Sequence, residues 1–239
     1  LSMKDSKQYG EGWCWDYKNP VLTPLLVGGK DIFMARFLDA LTSHGVYVDA
    51  TIDEKRKPID AFCIVNRFHT IDQILMRMLK ESNNLYAEAM YYQIAASTGN
   101  HPASAKSARN VERRLVDKIG LDASRYKFAD GSGLSLYNYV SAELEVKMLR
   151  YAYKNDNIRH HLIPALPIAG VDGTLKKRMK GTFTRDNVKA KTGTVTGISS
   201  LAGYCQAANG HTLCFAIINQ GVMHGRNGRA FQDRVCNAL

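Results

Sequence analysis

Near residue 187 the periodicity of the chain changes, and this limits the fold more than any other feature of the sequence. Upstream, Ile71, Ile74, Leu75, Met78 and Leu79 fall at i, i+3, i+4, i+7 and i+8, the spacing of one helix face. Thr70-Ile71-Asp72-Gln73 opens that run as a capping box. Glu81-Ser82-Asn83-Asn84 ends it, because Ser and Asn side chains compete for backbone hydrogen bonds. Residues 85–96 read as the next helix, so Ser82 and Asn84 sit at a helix–helix junction. Residues 31–44 read as a helix closed by Gly45 and followed by a short extended Val46-Tyr47-Val48; 107–119 and 141–153 are further amphipathic helices. Downstream, 188–198, 201–206 and 212–219 are rich in β-branched and apolar residues, and Asn209-Gly210 between the last two signals a tight hairpin. Residues 226–238 read as a closing helix. Helices, then an antiparallel sheet, then a helix make an α+β pattern. The expectation is a single domain over 1–239, mainly helical over 67–180, with the sheet and closing helix over 187–239 and a remnant of an upstream segment at 1–20.

Composition removes several function classes. The formal net charge of +10 attracts anionic surroundings such as nucleic acid, acidic lipid or cell-wall polymer. The densest basic stretch, Lys176-Lys177-Arg178-Met179-Lys180 with Arg185, Lys189 and Lys191, carries one aromatic residue, Phe183, and no nucleic-acid-binding signature, so no nucleic-acid partner is expected. No apolar run approaches the ~18 residues of a membrane span, so no transmembrane segment is expected. The five cysteines contain no Cys-x-x-Cys pair and the seven histidines no His-Glu-x-x-His spacing. Neither a metal site nor a cofactor is indicated.

Chemistry enters with Lys191-Thr192-Gly193. Gly packs poorly in a strand and is normally avoided there, which leaves a bulge, a strand end, or a strand shaped for another backbone to lie against it. In this composition the triplet is expected by chance about 0.07 times, whereas Ser82-x-Asn84 alone is expected about 0.8 times. Position strengthens the weaker signal. Ser-x-x-Lys, Ser-x-Asn and Lys-Thr-Gly form the motif set of penicillin-binding proteins and class A β-lactamases, and here the second lies at a helix junction and the third on a strand.

Five stretches carry a wider resemblance: "GEGWCWDY" (10–17), "MLKESNNLYAEAM" (78–90), "DGSGLSLYN" (130–138), "LPIAGVDGTLKKR" (166–178) and "KAKTGTVTGISSLAGY" (189–204). In content and order they resemble the D-alanyl-D-alanine carboxypeptidase/endopeptidases, the class C low-molecular-mass penicillin-binding proteins. The resemblance implies a penicillin-recognising fold, a serine acyl-transfer site, peptidoglycan peptides ending in D-Ala-D-Ala as substrate, β-lactams as inhibitors, and a periplasmic or other extracytoplasmic location. It implies that the Lys191 ammonium meets the substrate carboxylate with the Thr192 hydroxyl beside it. Gly193 would let the substrate backbone pair with the strand, and the Thr194 N–H would donate to the oxyanion. Ser82 would relay a proton to the leaving group, and Asn84 would hold the substrate amide or the nucleophile's lysine. Plainer readings stand beside these: Asn84 as a helix cap, residues 130–135 as a turn beside the cleft, Asp172 and Arg178 as cleft floor or solvated charges, and Trp13 and Trp15 as core anchors.

One element of the pattern is missing. No Ser-x-x-Lys precedes Ser82; Ser124-Arg125-Tyr126-Lys127 fits the spacing but follows the Ser-x-Asn element and is rejected as the nucleophile. Either the chain is a C-terminal portion whose nucleophile lies upstream, which is the favoured expectation, or it is a non-catalytic module that binds murein or β-lactams. The hairpin yields one more expectation. A two-residue Asn209-Gly210 turn places Cys205 opposite Cys214, ~4.5 Å apart between Cα atoms, as a disulfide or as two small buried hydrophobes.

Overall fold

The computed structural model describes residues 13–15, 22–24, 29–49, 59–63, 65–99 and 103–239. Its contacts group into two compact units, Leu1–Val65 and Asn66–Leu239. In the first, β1 (Trp13–Trp15) pairs antiparallel with β2 (Leu22–Pro24). Helix α1 (Gly29–Ser43) follows. It ends at Gly45, whose φ of 77° lets the Val46 N–H turn back to the Leu41 carbonyl at 2.9 Å, closing a Schellman-type cap. Residues 46–48, expected as a short extended stretch, belong to no strand. They are exposed, so no sheet neighbour rewards extension. The Trp13 and Trp15 side chains, expected as core anchors, lie outside the described residues.

The second unit begins with the expected capping box. Thr70 caps α2 (Ile71–Leu75), and the Gln73 side chain accepts from the Thr70 N–H. The helix then widens into a π-turn over Met76–Lys80. Helices α3 (Asn84–Ala96), α4 (Ala105–Lys118), α5 (Ala142–Lys154) and α6 (Asp156–Ala165) follow. Helix α6, which carries Pro164 in its last turn, is not expected from the periodicity of the sequence. The chain closes with β3 (Lys189–Val195), β4 (Ile198–Gln206), β5 (Thr212–Gln220) and α7 (Gly225–Ala238). The strands form an antiparallel sheet in the order β3-β4-β5.

The pleat divides the work of this sheet between its faces. Ala190, Leu201, Cys205 and Phe215 point to one side, into a core shared with Leu175, Val188 and Cys236 of α7. Lys191, Ala202 and Tyr204 share the other face, where the Tyr204 hydroxyl donates to the Leu149 carbonyl of α5 at 2.8 Å. Helix α5 also closes a second core of Val116, Ala123, Tyr126 and Leu144. Gly203 leaves room for β3 beside β4: a Cβ there would lie 2.1 Å from the Lys189 carbonyl oxygen.

The hairpin corrects one expectation. Cys205 pairs with Leu213 and Cys214 with Tyr204, one residue away from the register of a two-residue turn. The Ala207 N–H donates to the His211 carbonyl and the Gly210 N–H to the Ala207 carbonyl, both at 2.9 Å, with Gly210 at φ 82°. This is a three-residue loop with Gly in the left-handed position. A shift of one residue turns a side chain to the other face. Cys205 therefore enters the α7-side core, Cys214 faces Val146 of α5, and both are free thiols.

Candidate active site

Ser82 is delivered by the end of the π-turn. The Asn83 N–H reaches back five residues to the Met78 carbonyl at 3.2 Å, and Ser82 follows the turn at φ 55°. That left-handed conformation is uncommon for a residue with a side chain and costs on the order of 1 kcal/mol. Asn83 is the N-cap of α3, accepting from the Tyr86 N–H at 3.2 Å. Asn84 is thus free of the capping role and starts the helix as an exposed side chain.

Across from this junction, the Lys191 side chain projects from β3. Its ammonium donates to Ser82 Oγ at 2.8 Å and to the Thr192 carbonyl at 2.7 Å. No carboxylate pairs with it among the described residues, and burial pushes its pKa below the ordinary lysine value. An ammonium has three donors, so one remains for a ligand. Ser82, Asn84 and residues 191–195 line a single cavity of about 430 Å³.

The two threonines and the glycine fall on different sides of the strand. Thr192 Oγ1 donates to Thr174 Oγ1 at 2.9 Å. Gly193 lies opposite Ser200, whose Oγ a Cβ at 193 would approach to 2.3 Å. The Ala190 N–H points outward from the sheet, to the Pro167 carbonyl at 2.9 Å. Alternation along an antiparallel ladder then turns the N–H groups of Thr192 and Thr194 to the same outer edge. Beyond residue 190, no backbone hydrogen bond among the described residues occupies that edge.

The 130–138 loop forms a wall of the same cavity. Asp130 accepts from Gly133 N–H (2.8 Å), Ser135 N–H (2.7 Å) and Asn138 Nδ2 (2.9 Å). Glu88 of α3 accepts from Ser132 N–H at 2.9 Å and pins the loop to the helix that starts at Asn84. Gly131 is needed at the contact, since a Cβ there would lie 2.5 Å from the Tyr91 Cβ.

Glu145 and Lys80 lie near the site with no signal in the sequence to mark them. Glu145 of α5 lines the cavity with one carboxylate oxygen fully buried and unpartnered, and burial pushes its pKa up to about 7. Lys80 pairs with Asp172 at 2.5 Å. Arg178, left open between cleft floor and solvated charge, instead grips α7 through Asp233 at 2.5 Å and Gln232 at 3.1 Å. Ser124 lies in a 3₁₀ turn outside the cavity, and the Lys127 ammonium sits over the Tyr137 and Tyr139 rings. Among the described residues no group of three or more His, Cys, Asp or Glu is placed to hold a metal ion.

Known proteins resemble this chain in sequence and fold. Residues 26–238 match the model of the D-Ala-D-Ala carboxypeptidase 3 (S13) family. The D-alanyl-D-alanine carboxypeptidase of Actinomadura sp. (strain R39) is 35% identical over 212 residues, covering 85% of this chain and 39% of that protein. D-alanyl-D-alanine carboxypeptidase DacB of Haemophilus influenzae is 32% identical over 157 residues, 65% of this chain and 33% of that protein. The chain thus spans a third to two fifths of the length of these relatives. Among solved structures, penicillin binding protein 4 (dacB) of H. influenzae complexed with a β-lactam superposes with a TM-score of 0.75 at 26% identity, covering 92% of this chain and 53% of that one. The TLA-3 extended-spectrum β-lactamase shares the fold alone, at a TM-score of 0.53 and 18% identity over 83% of this chain and 77% of that one.

Proposed function

Because the chain belongs to the D-Ala-D-Ala carboxypeptidase 3 (S13) family, we propose that it forms the carboxylate-binding and proton-relay part of a serine-type D-Ala-D-Ala carboxypeptidase or endopeptidase acting on peptidoglycan stem peptides. The observation that carries this reading is the Lys191–Ser82 contact at 2.8 Å, an ammonium that has no carboxylate partner among the described residues, beside a hydroxyl on the outer strand of the sheet. A substrate laid along residues 192–194 pairs with the outer N–H groups and brings its terminal carboxylate to the third donor of Lys191.

The chemistry then runs as follows. A serine hydroxyl adds to the penultimate D-Ala carbonyl, and the Thr194 N–H donates to the oxyanion that forms. The C–N bond breaks as the serine ester forms, and the proton lost by the nucleophile ends on the leaving amine. Ser82 is placed for that relay because its oxygen already accepts from Lys191, leaving its own O–H free to donate. Asn84 holds the substrate amide. Water then hydrolyses the ester, and a β-lactam stops the cycle at the acyl stage. The nucleophile and its lysine are supplied by a Ser-x-x-Lys segment N-terminal to residue 1, and the site works in the periplasm or another extracytoplasmic compartment.

A second reading, a non-catalytic module that binds D-Ala-D-Ala ends, is favoured by the absence of Ser-x-x-Lys before Ser82. Intact mass spectrometry after penicillin treatment separates the two. The expected result is no stable adduct on the 239-residue chain and one adduct on a chain extended upstream through a Ser-x-x-Lys. An adduct mapped to Ser82 or Ser124 refutes the nucleophile assignment. Peptide binding without an adduct on the extended chain replaces catalysis with the module.

A further inference from the structure

The Ser82–Lys191 contact joins residues 109 apart in sequence, from a helix end and a strand that share no secondary structure. Neither partner is held there by local preference: Ser82 has a positive φ, and Lys191 is a half-buried cation with no counter-ion among the described residues. Their separation must be fixed by something that grips both elements.

The 166–178 loop does so. On one side it runs along the outer edge of β3, with Ala169 N–H to the Val188 carbonyl, Ala190 N–H to the Pro167 carbonyl, and the Thr192–Thr174 hydroxyl contact, each at 2.9 Å. On the other side it meets the last residue of the π-turn, two positions before Ser82. Lys80 Nζ donates to Asp172 Oδ2 at 2.5 Å. Gly173 comes so close to the Lys80 backbone that a Cβ would lie 2.8 Å from the carbonyl oxygen. The second oxygen of Asp172 accepts from the Ile168 N–H at 2.8 Å, so one carboxylate ties the helix end to the stretch of loop that is bonded to β3.

We infer that Asp172 is a positioning residue which, through Lys80 and Ile168, sets the distance between the Ser82 hydroxyl and the Lys191 ammonium. The inference rests on the proposed function for its consequence in ligand binding, but not for its geometry. Asp172 touches neither the substrate nor the reacting atoms. Its side chain is only partly buried and the Lys80 side chain largely buried, so the pair's importance lies in placement more than in stability.

The test replaces the pair with neutral groups in the full chain, Lys80→Met with Asp172→Asn, which removes one charge of each sign and leaves the net field at Lys191 nearly unchanged. Two readouts follow: the NMR titration of the Lys191 ε-carbon, and the Kd of an acyl-D-Ala-D-Ala peptide. The expected result is a rise of the Lys191 pKa toward the ordinary lysine value as water reaches the ammonium, with peptide binding about tenfold weaker. In the Ser82→Ala background the same replacement changes the Kd less than about twofold, because the contact it sets is already gone. An unchanged Lys191 titration, or an equal loss of binding in both backgrounds, overturns the inference. Should the double replacement fail to fold, Lys80→Arg keeps the charge pair with a different reach; the same rise in the Lys191 pKa supports the inference, and an unmoved titration overturns it. If the unsubstituted chain binds no peptide while the titration still moves, the functional reading fails and the positioning role stands.

Discussion

Lys191→Met is the perturbation that most directly tests the proposed carboxylate site. Methionine keeps the length and apolar stem of the side chain and removes only the ammonium. Two of the three ammonium donors already serve Ser82 Oγ and the Thr192 carbonyl, so one charged hydrogen bond is available to a ligand. A hydrogen bond to a charged group contributes about 1.5–3 kcal/mol, which is roughly a 10- to 150-fold change in affinity. The upper half of that range is expected because Lys191 is already desolvated in the unliganded site. The assay compares an acyl-D-Ala-D-Ala peptide with its C-terminal carboxamide by calorimetric titration. The unsubstituted chain should prefer the carboxylate by that factor, and Lys191→Met should hold both peptides within about threefold of each other. The preference should also disappear as pH rises through the lowered pKa of Lys191, earlier than an exposed lysine would allow. A Lys191→Met chain that still prefers the carboxylate would show that another cation, or backbone alone, holds the terminus.

Two further outcomes follow from buried groups. Burial raises the Glu145 carboxyl from its ordinary 4.5 to about 7, so the folded state keeps a proton that the unfolded chain has already lost, and stability falls as pH rises through that window. Glu112 carries a similar shift, so Glu145→Gln should remove about half of the difference between urea midpoints at pH 5 and pH 8; an unaltered difference counts against the burial argument. Burial pushes the Cys236 thiol up to about 12 and raises Cys205, whereas Cys63 is exposed, so a disulfide reagent should label Cys63 in the native chain and the other two only on unfolding. A Cys205–Cys214 linked peptide under oxidising conditions would refute the observed register.

Periodicity made most of the architecture legible, and its failures have local causes. The capping box at Thr70, the junction at Ser82 and the closing helix all rest on contacts within a few residues. The hairpin departs from its expected register because Asn-Gly serves both a two-residue turn and the last two positions of a three-residue one. Parity decides between them. Leu201, Gly203 and Cys205 must share a face with Leu213, Phe215 and Ile217 for one core to form against α7, and only the three-residue loop does that. Helix α6 leaves little periodic signal for a different reason: Pro164 and the polar Asp156-Asn157 and His160-His161 pairs blur its apolar stripe.

The candidate site is legible where its residues are compressed into a triplet and obscure where they are spread across the chain. Lys191-Thr192-Gly193 could be read from composition and strand context, whereas the Lys80–Asp172 pair spans 92 residues and leaves no periodic trace. The positive φ of Ser82 was equally hidden, since Ser at a junction suggests a cap rather than a left-handed residue. These hidden features share a physical character. A strained serine and a half-buried ammonium with no carboxylate partner among the described residues are each locally unfavourable, and departures of this kind concentrate where function requires them. On the proposed reading a ligand carboxylate supplies the counter-ion that Lys191 lacks among the described residues and leaves Ser82 as it stands. Carboxylate ligands should therefore stabilise the fold by RT ln(1 + [L]/Kd), and a carboxamide at the same concentration should add almost nothing.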